Sequence, residues 1–263
     1  MLVAGVAWAL HEAQWVELNA VDVPIRGLPQ GMDGFTIVHL SDFHLGTISL
    51  NGRALEKAVR WAERDEHDLV AVTGDLLTRQ RGERHLRNAL RRLRARHGVY
   101  AVLGNHDVDD ASRDPFSAPT DVSRIAAEGA VLLEDSAVKF EHDGCVVQVV
   151  GADPRSWKAR RPKRLADPDA DVRILLSHFP DVVERLEPGA FHLVLAGHLH
   201  GGQICLPAPR GKLRLEHLRA RHWEGLHETP AGMLHVSRGL GTSFVPFRFL
   251  ARPEATKLTL RAQ

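Results

Sequence analysis

The sequence predicts an α/β fold with two sheets in one domain, and three observations carry that expectation. The first hundred residues alternate short apolar runs with helically spaced segments, the signature of parallel βαβ units. The middle of the chain then changes to hairpin and isolated-strand signals. No repeat, low-complexity tract or Pro/Gly-rich linker divides the 263 residues, so one domain over 1–263 is the economical reading.

In chain order, Gln14–Val23 alternates loosely and reads as a strand ended by Pro24. Phe35–Leu40 is a short apolar run, consistent with a buried strand. Asn51–Arg64 sets Leu55, Val59 and Ala62 at helical spacing, and Leu69–Thr73 is again a buried strand. Glu83–Arg96 places Leu86, Ala89, Leu90 and Leu93 on one face and arginines on the other; Val99–Leu103 is a third strand. Val138–Phe140 and Val146–Val150 flank Asp143-Gly144, a strong hairpin signal. Ile174–Leu176, Leu193–Ala196, Gly232–Ser237 and Ala255–Leu260 complete the predicted strands, while the basic segments Arg155–Arg164 and Arg210–Arg221 read as loops.

Composition narrows the function classes. With 44% hydrophobic and 25% charged residues, disorder, collagen and an integral membrane bundle are excluded. The formal charge of +1 gives no push toward nucleic acid or an anionic membrane. Only six of the 34 basic residues are lysine, and arginine suits buried or phosphate-facing positions. The two cysteines, Cys145 and Cys205, form no CxxC pair, which excludes a zinc ribbon or redox motif and fits a reduced, cytoplasmic setting. Met1–Leu10 is wholly apolar but too short to span a bilayer, which needs about 20 residues. Two readings of it stand side by side: packing on the domain, or the remnant (1–12) of a longer N-terminal membrane segment. The first makes the protein cytoplasmic, the second peripheral to the membrane.

The residues after the strands carry the chemistry. Phe35–Leu40 is followed by Asp42 and His44, Leu69–Thr73 by Gly74-Asp75, and Val99–Leu103 by Gly104-Asn105-His106-Asp107. Ile174–Leu176 is followed by His178, and Leu193–Ala196 by Gly197-His198-Leu199-His200. In an open parallel sheet such strand ends converge on one edge. Imidazole, carboxylate and amide donors without thiolate suit Mn, Fe or Zn. Seven donors are too many for one tetrahedral ion and suit two ions sharing a carboxylate, which can clamp an in-line phosphoryl displacement and supply hydroxide near neutral pH. Gly74, Gly104 and Gly197 sit where sharp turns favour glycine backbone angles.

This motif series resembles the calcineurin-like metallophosphoesterase superfamily from about Phe35 to Leu260. It is most similar to the bacterial, membrane-associated branch that includes a UDP-2,3-diacylglucosamine hydrolase. The branch-like stretches are Leu40–Gly46, Gly197–Ile204 and Ser237–Ser243, with Pro246, Arg248 and Pro253-Glu254. The resemblance implies a four-layer α/β/β/α sandwich of two mixed sheets flanked by helices. It implies one divalent ion on Asp42, His44 and His200, a second on Asn105, His178 and His198, and Asp75 between them. Manganese is the first choice, zinc or iron the alternatives. His106 is implied to serve the phosphoryl oxygen or leaving group as a catalytic residue together with Asp75. Some relatives carry an aspartate three residues after the bridging one, paired with the catalytic histidine; here Thr78 stands there. Either another carboxylate, with Asp107 nearest in sequence, orients His106, or its proton transfer is weaker.

The expected function is therefore a dinuclear phosphohydrolase, a phosphodiesterase or pyrophosphatase on a small-molecule or lipid-linked phosphate ester or diphosphate such as UDP-2,3-diacylglucosamine. A non-catalytic metal-bound scaffold docking at membranes and a nuclease of the same superfamily are the rivals. The near-zero charge weighs against nucleic acid. The arginines from Arg79 to Arg96 read as a solvated helix face. Those in the two basic segments are candidates for receiving a phosphate or diphosphate; Arg238 and Arg248 are further candidates, with holding the C-terminal tail as their alternative.

Overall fold

The computed structural model describes residues 2–108, 122–159, 161–209, 211–215 and 220–263. Arg210 and part of the second basic segment, 216–219, lie outside them, as does Arg160 in the first. The elements in order are α1 (Leu2–Glu12), β1 (Glu17–Ile25), β2 (Thr36–Leu40), α2 (Asn51–Ala62), β3 (Leu69–Thr73), α3 (Glu83–Arg92) and β4 (Val99–Val102). Then come α4 (Val122–Ala126), β5 (Val131–Leu132), β6 (Ser136–His142), β7 (Cys145–Gly151), α5 (Arg161–Leu165), β8 (Val172–Leu176) and β9 (Leu193–Ala196). The chain closes with β10 (Cys205–Ala208), β11 (Gly211–Arg214), β12 (Gly225–Thr229), β13 (Gly232–Val236) and β14 (Glu254–Ala262).

Two six-stranded mixed sheets face each other, ordered β1-β14-β2-β3-β4-β5 and β12-β13-β9-β8-β7-β6. β2, β3 and β4 are parallel, as are β7, β8 and β9. Alternation along each strand decides the layers. Ile37, Ala71 and Val102 point inward and meet Val149, Ile174 and Leu195 of the other sheet. Val38, Leu40, Val70 and Val72 point outward under Leu55 and Val59 of α2 and Leu86 and Leu90 of α3. The second sheet's outer face packs Val150, Leu175 and Val194 on Val182 and Phe191. This is the α/β/β/α arrangement expected. Each fully buried Leu or Ile contributes about 1.5–3 kcal/mol by leaving water.

Four local expectations are corrected. β1 runs through Pro24, which pairs with Arg261, because β1 is an edge strand and a proline there removes no needed ladder bond. The first basic segment is not all loop: it holds a 3₁₀ turn, Trp157–Ala159, and α5. The second contains β11, the return strand of a hairpin with β10. Arg79 and Arg81 lie before α3 rather than on it.

The apolar N-terminus forms α1. Its Ala9 carbonyl accepts from the Arg248 amide, and buried Glu12 accepts from Trp8 and the Ala251 amide, while Val6, Trp8 and Leu10 are exposed. Among the described residues, no helix is long and apolar enough to cross a membrane.

Candidate metal centre

All five predicted donor segments follow C-terminal ends of parallel strands and meet at one edge of the two-sheet sandwich. The loops after β2 and β3 run side by side: Asp42 N donates to Gly74 O and His44 N to Asp75 O. Their donors interlock with those of the second sheet. His44 Nε2 lies 3.1 Å from His200 Nε2 and 3.3 Å from Asp75 Oδ2, and His200 Nε2 lies 3.6 Å from Asp42 Oδ1. On the other side, His178 Nε2 lies 3.3 Å from Asp75 Oδ2, 3.0 Å from Asn105 Oδ1 and 3.2 Å from His198 Nδ1. One carboxylate oxygen, Asp75 Oδ2, thus borders both groups at the same distance. The structure brings together all seven predicted donors. His106 joins them through its amide, which donates to Asp75 Oδ1 at 2.8 Å, and its ring lies 4.8 Å from that of His44.

The donor chemistry fits a pair of cations. His178 Nδ1 donates to Thr73 O at 2.9 Å, so Nε2 is the atom turned toward the centre. It faces the Asn105 carbonyl and the Asp75 carboxylate, acceptors gathered around a position that a proton or a metal cation can fill. Burial lowers the His178 pKa, but the charge and hydrogen bond of Asp75, then Asp42, outweigh it and push it up to about 9. A place that holds a proton so firmly is equally a place for a metal cation. Burial opposes ionisation of Asp75 too, yet His178, His106 and His44 hold it well below the usual carboxylate range. Burial pushes Asp42 up to about 6 and His44 down to about 3, so His44 presents a neutral ring.

The backbone here is unusual. Asp42, His44, Asp75, His198 and His200 all have positive φ, between 43° and 73°. These are non-glycine residues in the left-handed region, where Asp, Asn and His are tolerated and strain accumulates at functional sites. The glycines divide by role. Gly74 has φ +88° and needs its conformation, as expected. Gly104 and Gly197 do not have positive φ; a Cβ on them would overlap Asp75 Oδ1 and the Ser41 and Asp42 side chains, so space rather than angle requires glycine.

Three residues position the donors. Thr78 Oγ1 is 3.1 Å from His44 Nδ1, so the residue replacing the expected aspartate braces a donor ring. Asp107 accepts from the amides of Leu76, Leu77 and Gly104, tying together the turns that carry Asp75 and Asn105. Burial first, and then the charge of Asp75, raise its pKa to about 7. Arg248 is fully buried and donates to carbonyls of His200, Gly239, Gly241 and Ala251, with Nη2 3.1 Å from His200 Nδ1. Arg238 pairs with Glu17 and Glu254 at 2.7 and 2.6 Å. Both arginines hold the C-terminal tail rather than facing an open phosphate site. Gly239–Gly241 closes over the centre, with Leu240 N donating to Ser41 O and Gly241 N to Asp42 O. The stretch Ser237–Ser243 was legible in the sequence as a branch-like feature, but not its contact with the Ser41-Asp42 turn.

A cavity of about 240 Å³ opens beside His44, lined by Thr47, Ile48, Arg79, Arg81, Phe244 and Pro246 among others. It offers an apolar wall and two guanidinium-bearing residues next to the donors. The helix-face arginines are paired with acids instead: Arg87 with Glu83 and Glu128, Arg92 with Glu56 and Glu63.

Such a fold, with such a donor cluster at its strand ends, defines a metal-dependent phosphoester hydrolase. The model of the calcineurin-like phosphoesterase family matches residues 35–202, and the chain belongs to that family. The metallophosphoesterase YkoQ of Bacillus subtilis is 31% identical over 248 residues, 92% of this chain and 89% of that one. The UDP-2,3-diacylglucosamine pyrophosphatase LpxG of Chlamydia muridarum is 28% identical over 94% of this chain and 90% of that one. A solved dimetal phosphatase from Danio rerio has a TM-score of 0.48 at 12% identity, over 87% of this chain and 93% of that one.

Proposed function

We propose that the chain is one catalytic domain that hydrolyses a phosphodiester or diphosphate with two divalent cations, manganese foremost. Asp42, His44 and His200 would hold one, Asn105, His178 and His198 the other, and Asp75 would border both. The observation that carries this reading is the Asp75 carboxylate oxygen at 3.3 Å from both His44 and His178. When bound, the two cations supply Lewis acidity to phosphoryl oxygens and make water a competent nucleophile near neutral pH. The chain's own part is positional and protic. Thr73 O and Thr78 fix the His178 and His44 rings, and Asp107 fixes the turn that carries Asp75. His106, part-buried at the rim, serves the phosphoryl oxygen or protonates the leaving group.

The cavity beside His44 supports a substrate with an apolar portion and a second anionic group, because Ile48, Phe244 and Pro246 share it with Arg79 and Arg81. A lipid-linked diphosphate has that character, and the name of the Chlamydia relative makes UDP-2,3-diacylglucosamine the first such compound to try. Exposed Val6, Trp8 and Leu10 on α1 support work at a membrane periphery. The test is hydrolysis of bis-p-nitrophenyl phosphate and UDP-2,3-diacylglucosamine by the purified protein with Mn²⁺. Turnover of the diester is expected. No hydrolysis with any divalent metal, despite full metal occupancy, overturns the reading.

A further inference from the structure

A second cluster of metal-ligand chemistry lies at the opposite end of the sandwich, before β3 and β4 and at the end of β6. His97 Nε2 and His142 Nδ1 are 2.9 Å apart, and Asp68 Oδ1 lies 4.0 Å from His142 Nδ1. Each residue offers a ligand atom, and the three atoms lie within 4.8 Å of one another. Two donors bound at 2.0–2.1 Å on a tetrahedral ion stand about 3.3 Å apart. The observed separations straddle that figure.

Each donor is held in place by a contact other than the cluster itself. Asp68 Oδ2 accepts from the amide and hydroxyl of Thr36 at 2.8 and 2.9 Å, which turns Oδ1 toward the histidines. The His97 ring stacks on Phe140 at 4.3 Å and 12°, and the His142 ring stands edge-on to Phe35 at 4.8 Å and 89°. The backbone of His97 is fixed at both groups, its amide on Asp68 O and its carbonyl on the Tyr100 hydroxyl. His142 Nε2 faces Asp143 Oδ2 at 3.8 Å, the outer carboxylate that metal-bound histidines commonly have. The nearby cation Arg96 is drawn off to Asp143 at 3.8 Å. The side chains of His142 and Asp68 keep 8% and 20% of their exposure, so an ion can enter.

We propose that Asp68, His97 and His142 form a binding site for one divalent transition ion of the zinc and cobalt class, separate from the catalytic centre. The ion takes two imidazole nitrogens and one carboxylate oxygen, with water as the fourth ligand. It joins β6 of the second sheet to the turns before β3 and β4 of the first. Nothing in this site depends on the identity of the substrate.

The test is cobalt uptake by the full chain, with two variants that keep the aromatic stacking, His97→Phe and His142→Phe. Wild type is expected to hold one more equivalent of Co²⁺ than either variant, with turnover of bis-p-nitrophenyl phosphate within twofold in all three. An anomalous difference peak between His97 and His142 in cobalt-soaked wild-type crystals gives the same answer should a variant fail to fold. Equal uptake in the three proteins, or a cobalt-soaked crystal without that peak, leaves only an imidazole–imidazole hydrogen bond and overturns the site.

Discussion

The same strands look different at their middles and at their ends. In the middle of β2, β3, β8 and β9 the backbone is regular and the inward residues are Ile37, Ala71, Ile174 and Leu195, all without solvent exposure. Within four residues beyond those strands, five candidate donors turn into the left-handed region and carboxylates and imidazoles crowd together. The middles hold the fold with non-directional burial. The ends hold tightly packed charged groups on backbone that leaves the regular regions. Stability and chemistry are therefore separable by position along a single strand, and substitutions can test that separation.

The largest effect falls at the ends. Asp75→Ala should cut turnover of a diester by about 10³-fold or more, since a metal contributes several kcal/mol to the transition state. Retention of wild-type turnover by Asp75→Ala would break the comparison. Next comes His106→Ala, with a loss of about 10²–10³-fold while metal content, read by elemental analysis, stays at the wild-type value. If metal is lost in step, His106 is a ligand and its role is misassigned.

The middles should behave in the opposite way. Ile174→Ala is expected to lower unfolding free energy by about 2–5 kcal/mol and to leave the folded enzyme's turnover unchanged; chemical denaturation and kinetics together check it. A smaller effect is set by pH. His39 and His235 meet between the sheets, Nδ1 to Nδ1 at 2.8 Å, with His39 Nε2 2.9 Å from Thr73 Oγ1. Burial first, then the charges of His227 and Arg238, push His235 down to about 3. The unfolded chain protonates that ring near pH 6.5, so it binds more protons than the folded state between about pH 6.5 and 3. Stability thus falls as pH drops through that window, by about 2 kcal/mol at pH 5 for this ring. His235→Gln should shrink the difference between denaturation curves at pH 7 and pH 5 by about that amount, while burial of His39, also held low, keeps part of it. The smallest effect belongs to exposed Arg91→Ala on α3, within about 0.5 kcal/mol in the same assay, because its pairing with Glu128 is a surface one.

Much of this was legible in the sequence. Apolar runs of three to six residues, followed two residues later by Asp, Asn or His, announce both a buried strand and a candidate donor at its end, so β2, β3, β4, β8 and β9 and the seven candidate donors could be read without coordinates. What escaped depends on partners distant in sequence. Pro24 ends a strand by local rules but not at a sheet edge, and edges are a property of topology. Thr78 was legible as a departure from the pattern, not as the neighbour of His44. Arg248 could be read as a tail residue or a phosphate ligand; only its complete burial among carbonyls decides between them. Asp68, His97 and His142 sit on three elements with no common motif.

The position of β14 between β1 and β2 has a consequence for how the molecule is made. Asn19 and Glu254, bonded across the β1–β14 junction, are 235 residues apart in the chain. During translation, β1 and β2 emerge early but cannot complete their sheet until β14 leaves the ribosome. The Gly239–Gly241 cover and the Arg248 brace arrive in the same late stretch. A nascent chain thus carries every donor before it has the clasp that sets them, so a finished centre appears only once synthesis has passed that strand.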